Sequence, residues 1–240
     1  MNLLLLQPEQ QITPQQARVT GRQLQHLHAV HGARTGDRIK VGVRDGAMGE
    51  GRIETLDHNE AILSLVLDEA PPQPLPLTLV LALPRPKMLR RIIQSVVAMG
   101  VKHLILINSY RVEKSYWQTP WLQPESLTDQ ITLGLEQARD TGWVSIEQRP
   151  RFRPFVEDEL PWIAHSTRRL IAHPGVTPAC PAGLSEPVTL CMGPEGGFIP
   201  FEVALVCDQG FEAVHMGSRI LRSETAVPAL LGHLFDLSVA

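Results

Sequence analysis

The sequence has few of the residues that would indicate a disulfide-bonded protein, a metalloprotein or a membrane protein. It contains three cysteines in 240 residues, with no CxxC pair, so we expect buried thiols and neither a disulfide framework nor a zinc site. Its nine histidines have no accompanying cluster of carboxylates or cysteines, and no metal is therefore expected. No apolar run approaches the ~20 residues that a helix needs to span a bilayer.

An excess of positive charge is also missing. The formal net charge is −3 and the isoelectric point is near 6.3, which argues against holding nucleic acid by bulk electrostatics, so any RNA contact must be local. An export signal is not expected either, because the Leu3–Leu6 run is shorter than the ~7 to 15 residue apolar core of a signal peptide and has no basic start. We therefore expect a cytoplasmic protein.

One local basic stripe is visible in the second quarter of the chain. Positions i, i+3, i+4 and i+7 of a predicted helix are occupied by Lys87, Arg90, Arg91 and Gln94, while the other side is apolar. Such a helix would present its basic side to water. The stripe has two interpretations, an RNA-binding surface or an ordinary solvated helix face.

A proline-rich segment divides the chain into two predicted domains, residues 1–70 and 77–240. Residues 71–76 contain four prolines, which favours an extended, semi-rigid connection. The first domain is predicted to be a small β-barrel with an inserted helix. Its predicted elements are the helix Arg22–His31, with Leu24, Leu27 and Val30 at helical spacing, and the strands Arg38–Val43, Met48–Thr55 and Ala61–Leu67, joined in part by an Asp45-Gly46 turn.

The second domain alternates apolar strands with amphipathic helices, which predicts an α/β fold with a parallel sheet covered on both faces. Ligands of such sheets bind beyond the carboxyl ends of the strands. The predicted strands are Leu77–Leu83, His103–Ile107, Arg169–Ala172, Val188–Met192 and Glu212–His215. The predicted helices are Lys87–Met99, Leu127–Arg139, Pro200–Gln209 and Ser223–Leu237.

The first motif that carries chemistry is a glycine-rich turn, residues 191–198, which reads CMGPEGGF. It directly follows a predicted buried strand, and its glycines would let the backbone approach a ligand closely. The turn fits neither GxGxxG nor GxxxxGK[ST], so Rossmann and P-loop interpretations have no specific support. A tight turn with no ligand is the alternative interpretation.

The second motif, residues 216–226, reads MGSRILRSETA and leads from the next strand into the last helix. Ser223 is a suitable N-cap and Glu224 suits the first turn, where a carboxylate is favoured. Capping does not explain Arg219 and Arg222, which we expect to be buried and to need partners.

Together, the two loops resemble the C-terminal signatures of the RsmE family of S-adenosylmethionine-dependent RNA methyltransferases, which belong to the knotted SPOUT class. These signatures are GPEGG and L-G-x-R-I-L-R-x-E-T-A, and Met216 replaces the usual leucine here. Weaker similarity links residues 136–139 to the family's E-Q-x-x-R helix, His173-Pro174 to its H-P pair and residues 111–114 to its E-R-S-x loop. The N-terminal domain is similar to the family's PUA-like RNA-binding domain.

The resemblance implies a trefoil-knotted α/β domain, an exception to the general rule against knots. It also implies a homodimer that binds S-adenosylmethionine in the knot and methylates N3 of a uridine in 16S ribosomal RNA. The cofactor-binding residues carried over by position are Ala172, His173, Gly193, Pro194, Glu195, Gly196, Gly197, Met216, Gly217, Ile220 and Leu221. The residues expected to contact RNA are Arg34, Lys87, Arg90, Arg91 and Arg139.

Arg222 and Glu224 would lie nearest the chemistry. Uridine N3 carries a proton, so the site must remove it and stabilise the negative charge that spreads onto the flanking carbonyl oxygens. A guanidinium stays charged and offers paired donors, which makes Arg222 the candidate for this stabilisation. Glu224 has two interpretations, as the proton acceptor or as the group that orients Arg222, and the identity of the base stays open.

The sequence departs from the family in two places that concern RNA recognition. Residues 28–34 lack the family's V-L-R string, so an RNA contact is missing or has moved to Arg34. Residues 94–101 lack the lysine and the glutamate of the family's Q-K-A-x-E-L-G-V string. Two alternatives therefore stay open, a knotted methyltransferase with another RNA target and a non-catalytic RNA-binding or ribosome-assembly protein.

Overall fold

The computed structural model describes residues 2–29 and 32–237, and the chain divides into two compact units. One unit comprises Met1–Pro72 with Thr132–Trp143, and the other comprises Gln73–Ile131 with Val144–Ala240. None of the helices within the described residues is long and apolar enough to cross a membrane.

The first unit is built on a six-stranded mixed sheet that forms a half-barrel. Its strand order is β1-β4-β5-β6-β3-β2; β1 runs parallel to β4, and the other pairs are antiparallel. The elements are β1 (Leu4–Leu6), β2 (Gln11–Thr13), β3 (Gln16–Val19), α1 (Gly21–Ala29), β4 (Arg38–Val43), β5 (Met48–Leu56) and β6 (Ala61–Glu69), with a 3₁₀ turn at Pro8–Gln10.

The three strands predicted for this unit are present, and β5 and β6 extend slightly past their predicted ends. The turn between β4 and β5 is also confirmed, since Asp45 has φ 57° and the Gly46 N–H donates to the Val43 carbonyl at 2.8 Å. Helix α1 buries Leu24 and Leu27 as predicted. The third predicted position, Val30, and the predicted helix end at residue 31 lie outside the described residues.

An ion pair with one buried partner and one exposed partner joins α1 to residues 132–143 of the same unit. Glu136 is 3% exposed, and its Oε1 lies 3.2 Å from Nη2 of Arg22. Burial raises the pKa of Glu136, and the Arg22 guanidinium opposes this rise. Because the folded protein then holds the proton more tightly than the unfolded chain, this carboxyl stabilises the fold most below its ordinary pKa, and that stability is lost as the pH rises through the raised pKa.

We expect Arg22→Ala to raise the pKa of Glu136 further and to lower the free energy of unfolding by about 1–2 kcal/mol at pH 7, since a buried carboxylate loses its partner. The loss should be smaller at pH 4, where the carboxyl is protonated in both states. Urea unfolding at the two pH values measures this difference. Arg18→Ala, which breaks the exposed pair with Glu60, is the control and should cost less than about 0.5 kcal/mol; equal losses at both pH values for Arg22→Ala would contradict the prediction.

The second unit contains a six-stranded sheet in which every pair is parallel, in the order β12-β10-β11-β7-β8-β9. This confirms the predicted α/β class. The strands are β7 (Leu77–Ala82), β8 (His103–Ile107), β9 (Ser145–Arg149), β10 (Arg168–Ala172), β11 (Val188–Met192) and β12 (Glu212–Val214). The helices are α2 (Pro86–Ala98), α3 (Pro124–Ala138, whose residues from Thr132 belong to the first unit), α4 (Phe152–Pro154), α5 (Leu160–Ile163), α6 (Pro200–Asp208) and α7 (Ser223–Leu234).

Several stretches of the second unit differ from the prediction. The short helices α4 and α5 and the strand β9 were not predicted, and α3 begins at Pro124 and not at Leu127. Strand β9 has a polar sequence, SIEQR, and lies at the edge of the sheet, so no apolar run marks it. Helix α7 ends at Leu234 and not at Leu237, because Phe235 is extended, with φ −124° and ψ 147°. The carboxyl ends of β10, β11 and β12 are neighbours at one edge of the sheet, and this edge positions the site.

Candidate functional site

A cavity of about 410 Å³ opens at the carboxyl ends of β10, β11 and β12. Both glycine-bearing loops line it, with further contributions from residues 172–174 and from Arg111. The structure thus brings together every residue that was predicted to bind a cofactor: Ala172, His173, Gly193, Pro194, Glu195, Gly196, Gly197, Met216, Gly217, Ile220 and Leu221.

The turn that follows β11 is tight, and at Gly193 its own backbone leaves no room for a side chain. A Cβ atom on Gly193 would lie 2.9 Å from the backbone nitrogen of Phe198, and Gly197 has φ +73°. The Gly197 N–H donates to the Pro194 carbonyl at 2.7 Å. The Arg111 guanidinium donates to the Gly196 carbonyl and covers that glycine. The glycines therefore expose main chain to the cavity and fix its wall.

The second loop follows β12 and forms the facing part of the lining. Gly217 has φ +106°, a conformation that favours glycine, and its N–H donates to Nδ1 of His215 at 2.9 Å. Ile220 and Leu221 line the cavity although they are 82% and 38% exposed. Apolar side chains are thus available to an apolar part of a ligand.

His173 is the titratable group at the end of β10. Its backbone N–H donates to the Val214 carbonyl at 3.0 Å, while its ring Nδ1 is buried without a hydrogen-bond partner among the described residues. Burial lowers the pKa of His173, and the charge of Arg111 lowers it further, so the ring is neutral at pH 7. A buried polar atom without a partner at a cavity wall is a group that a ligand can satisfy.

A second cleft, of about 700 Å³, adjoins the first, because Glu195 lines both. Its other lining residues are 85–88, Tyr116, Arg222 and Glu224. Oε1 of Glu195 accepts a hydrogen bond from the Arg85 backbone N–H at 3.0 Å, which holds this carboxylate at the boundary between the two spaces.

The prediction that Arg219 and Arg222 are buried was wrong, since both side chains are exposed and neither has a hydrogen-bond or ion-pair partner among the described residues. Ser223 is not the N-cap of α7. Arg222 occupies that position, and Ser223 is the first helical residue and is buried. Glu224 lies in the first turn, as predicted, and is half-buried. Arg222 and Glu224 therefore share one cleft without pairing.

The basic stripe on α2 is only partly free. Its apolar side is buried as predicted, and Lys87 and Arg91 are exposed. The Arg90 guanidinium, however, lies 4.1 Å above the Trp121 ring, and Gln94 Nε2 donates to Gln130 Oε1 at 2.7 Å. Half of the stripe thus serves packing within the second unit.

The remaining two RNA-contact candidates belong to the first unit. Arg34 is exposed, and its backbone N–H donates to Asp37 Oδ2 at 2.8 Å. Arg139 is exposed and has φ 57° directly after α3. Both guanidinium groups lack a partner among residues 2–29 and 32–237, so both are available to a phosphate.

Sequence reasoning did not single out Arg85 or Tyr116. Arg85 directly precedes Pro86, the first residue of α2, and this X-Pro step after β7 is a signal of a helix start at the carboxyl edge of the sheet. Tyr116 lies in a 3₁₀ helix, Lys114–Gln118, for which no periodic pattern gives a signal. Within the described ranges, no group of three or more His, Cys, Asp or Glu side chains is placed to hold a metal ion.

Comparison with known proteins identifies the family. The family model for the RNA methyltransferase domain matches residues 71–234. The ribosomal RNA small subunit methyltransferase E of Treponema pallidum is 30% identical over 211 residues, which are 85% of this chain and 79% of that protein. The chain belongs to the ribosomal RNA small subunit methyltransferase E family, the family that its two C-terminal loops resemble.

Solved structures agree on the fold of this methyltransferase E family member. A Legionella pneumophila methyltransferase with bound S-adenosylmethionine has a TM-score of 0.78 at 21% identity and covers 96% of this chain and 95% of its own. The ribosomal RNA small subunit methyltransferase E of Neisseria gonorrhoeae, also bound to S-adenosylmethionine, has a TM-score of 0.74 at 20% identity, with the same coverage. The predicted class, a SPOUT-type parallel sheet preceded by a PUA-like unit, is confirmed.

Proposed function

We propose that this chain methylates N3 of a uridine in 16S ribosomal RNA and acts as a homodimer in the cytoplasm, where that substrate is found. As a member of its family, it is an S-adenosylmethionine-dependent methyltransferase. The observation that carries the proposal is the junction of two spaces at Glu195: a glycine-walled cavity and a cleft that holds an unpaired arginine and an unpaired glutamate.

The first cavity fits S-adenosylmethionine in size and chemistry. Its volume, about 410 Å³, falls within the roughly 300–1,000 Å³ of small-molecule sites. Main chain at Gly193 and Gly197 approaches the ligand space without side chains, and the unpartnered Nδ1 of His173 offers a polar contact. When bound there, S-adenosylmethionine supplies a methyl group on a positively charged sulfur.

The second cleft meets the requirements of uridine methylation. Loss of the N3 proton puts negative charge on the two flanking carbonyl oxygens of the base. The Arg222 guanidinium has no protein partner to give up, so its paired donors are free to meet that charge as it develops. In-line transfer then needs chiefly that the base be held close to the donor and that water be excluded.

Two carboxylates line this cleft, and they differ in their availability. Oε1 of Glu195 is occupied by the backbone N–H of Arg85, whereas Glu224 has no hydrogen-bond or ion-pair partner in the part of the chain that the structure describes. Glu224 is also half-buried, in the first turn of α7. We therefore assign the acceptance of the N3 proton to Glu224.

RNA binding is assigned to exposed basic side chains in both units. In the second unit these are Lys87 and Arg91, and in the PUA-like unit they are Arg34 and Arg139. We assign Arg90 a smaller role in RNA binding, because its guanidinium already stacks on Trp121.

A trefoil knot and a homodimer belong to the proposal. The loop between β10 and β11 hydrogen-bonds to the residue after β12 and to the last residue of α7, since the Cys180 N–H donates to the His215 carbonyl at 2.8 Å and the Leu184 N–H to the Leu234 carbonyl at 2.6 Å. This interlacing supports a knot. Exposed apolar side chains such as Tyr110 and Phe201, 79% and 56% exposed, support a self-association surface, which sedimentation of the full chain would test.

Two measurements test the proposed function. Calorimetric titration with S-adenosylmethionine and S-adenosylhomocysteine should give one binding site per chain for each. Incubation with labelled S-adenosylmethionine and small ribosomal subunits that lack the modification should then label the RNA, and nucleoside mass spectrometry should find N3-methyluridine. Label on another nucleoside would support the alternative RNA target, and binding without any label would support a non-catalytic protein.

A further inference from the structure

The second cleft has an aromatic lining residue whose role the reaction described above leaves unexplained. Tyr116 is one of two tyrosines in the chain, and it lines the same cleft as Arg222 and Glu224. It is half-buried in the short 3₁₀ helix Lys114–Gln118. Tyr116 thus adds an aromatic side chain to the lining of the cleft to which we assign the methyl acceptor.

The hydroxyl of Tyr116 is engaged by a neighbouring side chain. It donates to Oε1 of Glu113 at 3.2 Å. Burial, and then the charge of Glu113, raises the pKa of Tyr116, so the phenol is protonated at neutral pH and cannot act as a base. What Tyr116 presents to the cleft is therefore an uncharged aromatic ring.

The segment that carries the ring is anchored at the next residue. Nε1 of Trp117 donates to Oδ1 of Asn108 at 3.0 Å, and Asn108 directly follows β8. The tryptophan thus fastens the 3₁₀ helix to the carboxyl edge of the sheet. A ring fixed on a rigid support binds a flat ligand with little loss of side-chain entropy.

The charges around Tyr116 suit a nucleotide. The cleft is also lined by Arg85, Lys87 and Arg222, three cations against the carboxylates of Glu195 and Glu224. Unstacked RNA bases are commonly held on aromatic side chains while basic groups contact the phosphates. An aromatic ring beside cations can therefore bind both the base and the phosphate of a nucleotide.

We infer that Tyr116 is the surface on which the target base stacks, which orients the base between Arg222 and Glu224 and beside the cofactor cavity. This inference rests on the proposed function and adds a binding residue to it. Stacking accepts any base, so Tyr116 contributes affinity and orientation, while Arg222 responds to the charge that appears only during transfer.

Three variants of the full-length protein test the inference, with small ribosomal subunits lacking the modification as substrate. Tyr116→Leu removes the π face but keeps apolar volume, and should raise KM for RNA about tenfold, the effect expected for one lost base stack. Tyr116→Phe keeps the ring and should stay within about twofold of the unaltered protein. Trp162→Ala removes an aromatic that is 78% exposed and outside the cleft, and should change neither KM nor kcat.

Calorimetric Kd values for S-adenosylmethionine check that each variant retains its fold, and Tyr116→Met replaces the leucine variant if that one loses cofactor affinity. An unchanged KM for the leucine or methionine variant would overturn the stacking role, as would equal losses for leucine and phenylalanine. If the unaltered protein gave no N3-methyluridine, the proposed function would fail, and the stacking role with it. If the unaltered protein produced N3-methyluridine and the Tyr116 variants had an unchanged KM, the inference would be overturned while the proposed function would stand.

Discussion

Arg222→Ala should lower kcat for RNA methylation by about a thousandfold, the upper range for removing one group that stabilises a developing anion. The Kd for S-adenosylmethionine should stay within about threefold. Arg222 lines the second cleft and is not among the residues lining the first cavity, to which we assign the cofactor. Its side chain is exposed and has no hydrogen-bond or ion-pair partner among the described residues, so alanine removes no such interaction within the protein. The predicted loss therefore falls on the chemical step, which single-turnover transfer of a labelled methyl group measures.

Two further variants separate this role from simple loss of charge. Arg222→Lys keeps a positive charge but loses the paired donors of the guanidinium, and it should retain part of the activity. Arg151→Ala removes an exposed arginine of the same unit that lines neither space, and it should be silent. A large rise in the Kd for S-adenosylmethionine in Arg222→Ala would instead make Arg222 part of the cofactor site.

The grouping of the predicted cofactor-binding residues around one cavity was predictable because its determinants are local. A glycine-rich turn after a buried strand and a glycine-bearing loop after the next strand in the sequence were visible as short strings, and parallel strands bring their carboxyl ends to one edge. The placement of Gly193 and Gly217 on one cavity follows from that rule. The pairing of β10 with both β11 and β12 supplies the adjacency that the rule needs.

The environment of individual side chains was less predictable, because it depends on the path of the chain after the motif. Arg219 and Arg222 were expected to be buried, yet the segment before α7 runs along the surface and leaves both exposed. Arg90 looked like a free cation on a helix face, but its ring partner, Trp121, lies in a distant 3₁₀ turn, Pro120–Leu122. Contacts between segments that no periodicity connects cannot be predicted from local patterns.

The second large effect is expected at the turn after β11. Gly193→Ala should raise the Kd for S-adenosylmethionine about a hundredfold. A main chain displaced by the new methyl group loses polar contacts with the ligand that are worth about 1–3 kcal/mol each, and about 2.7 kcal/mol corresponds to a hundredfold change in Kd. The new Cβ would lie 2.9 Å from the Phe198 nitrogen and 3.2 Å from the Gly197 carbonyl carbon. Both contacts are with backbone, which cannot rotate away as a side chain can, so the whole turn must move.

The same substitution elsewhere in this unit separates a local shift of the turn from a general loss of stability. At Gly232, in α7, a Cβ would meet only Leu237 Cδ1, at 3.9 Å, and an alanine inside a helix should stabilise by about 0.5–1 kcal/mol. Gly232→Ala should therefore bind S-adenosylmethionine as the unaltered protein does and melt at the same or a higher temperature. If Gly193→Ala bound the cofactor with unaltered affinity, the turn would not form the wall of the cofactor site, since a main chain displaced by the new methyl group could not keep the same contacts.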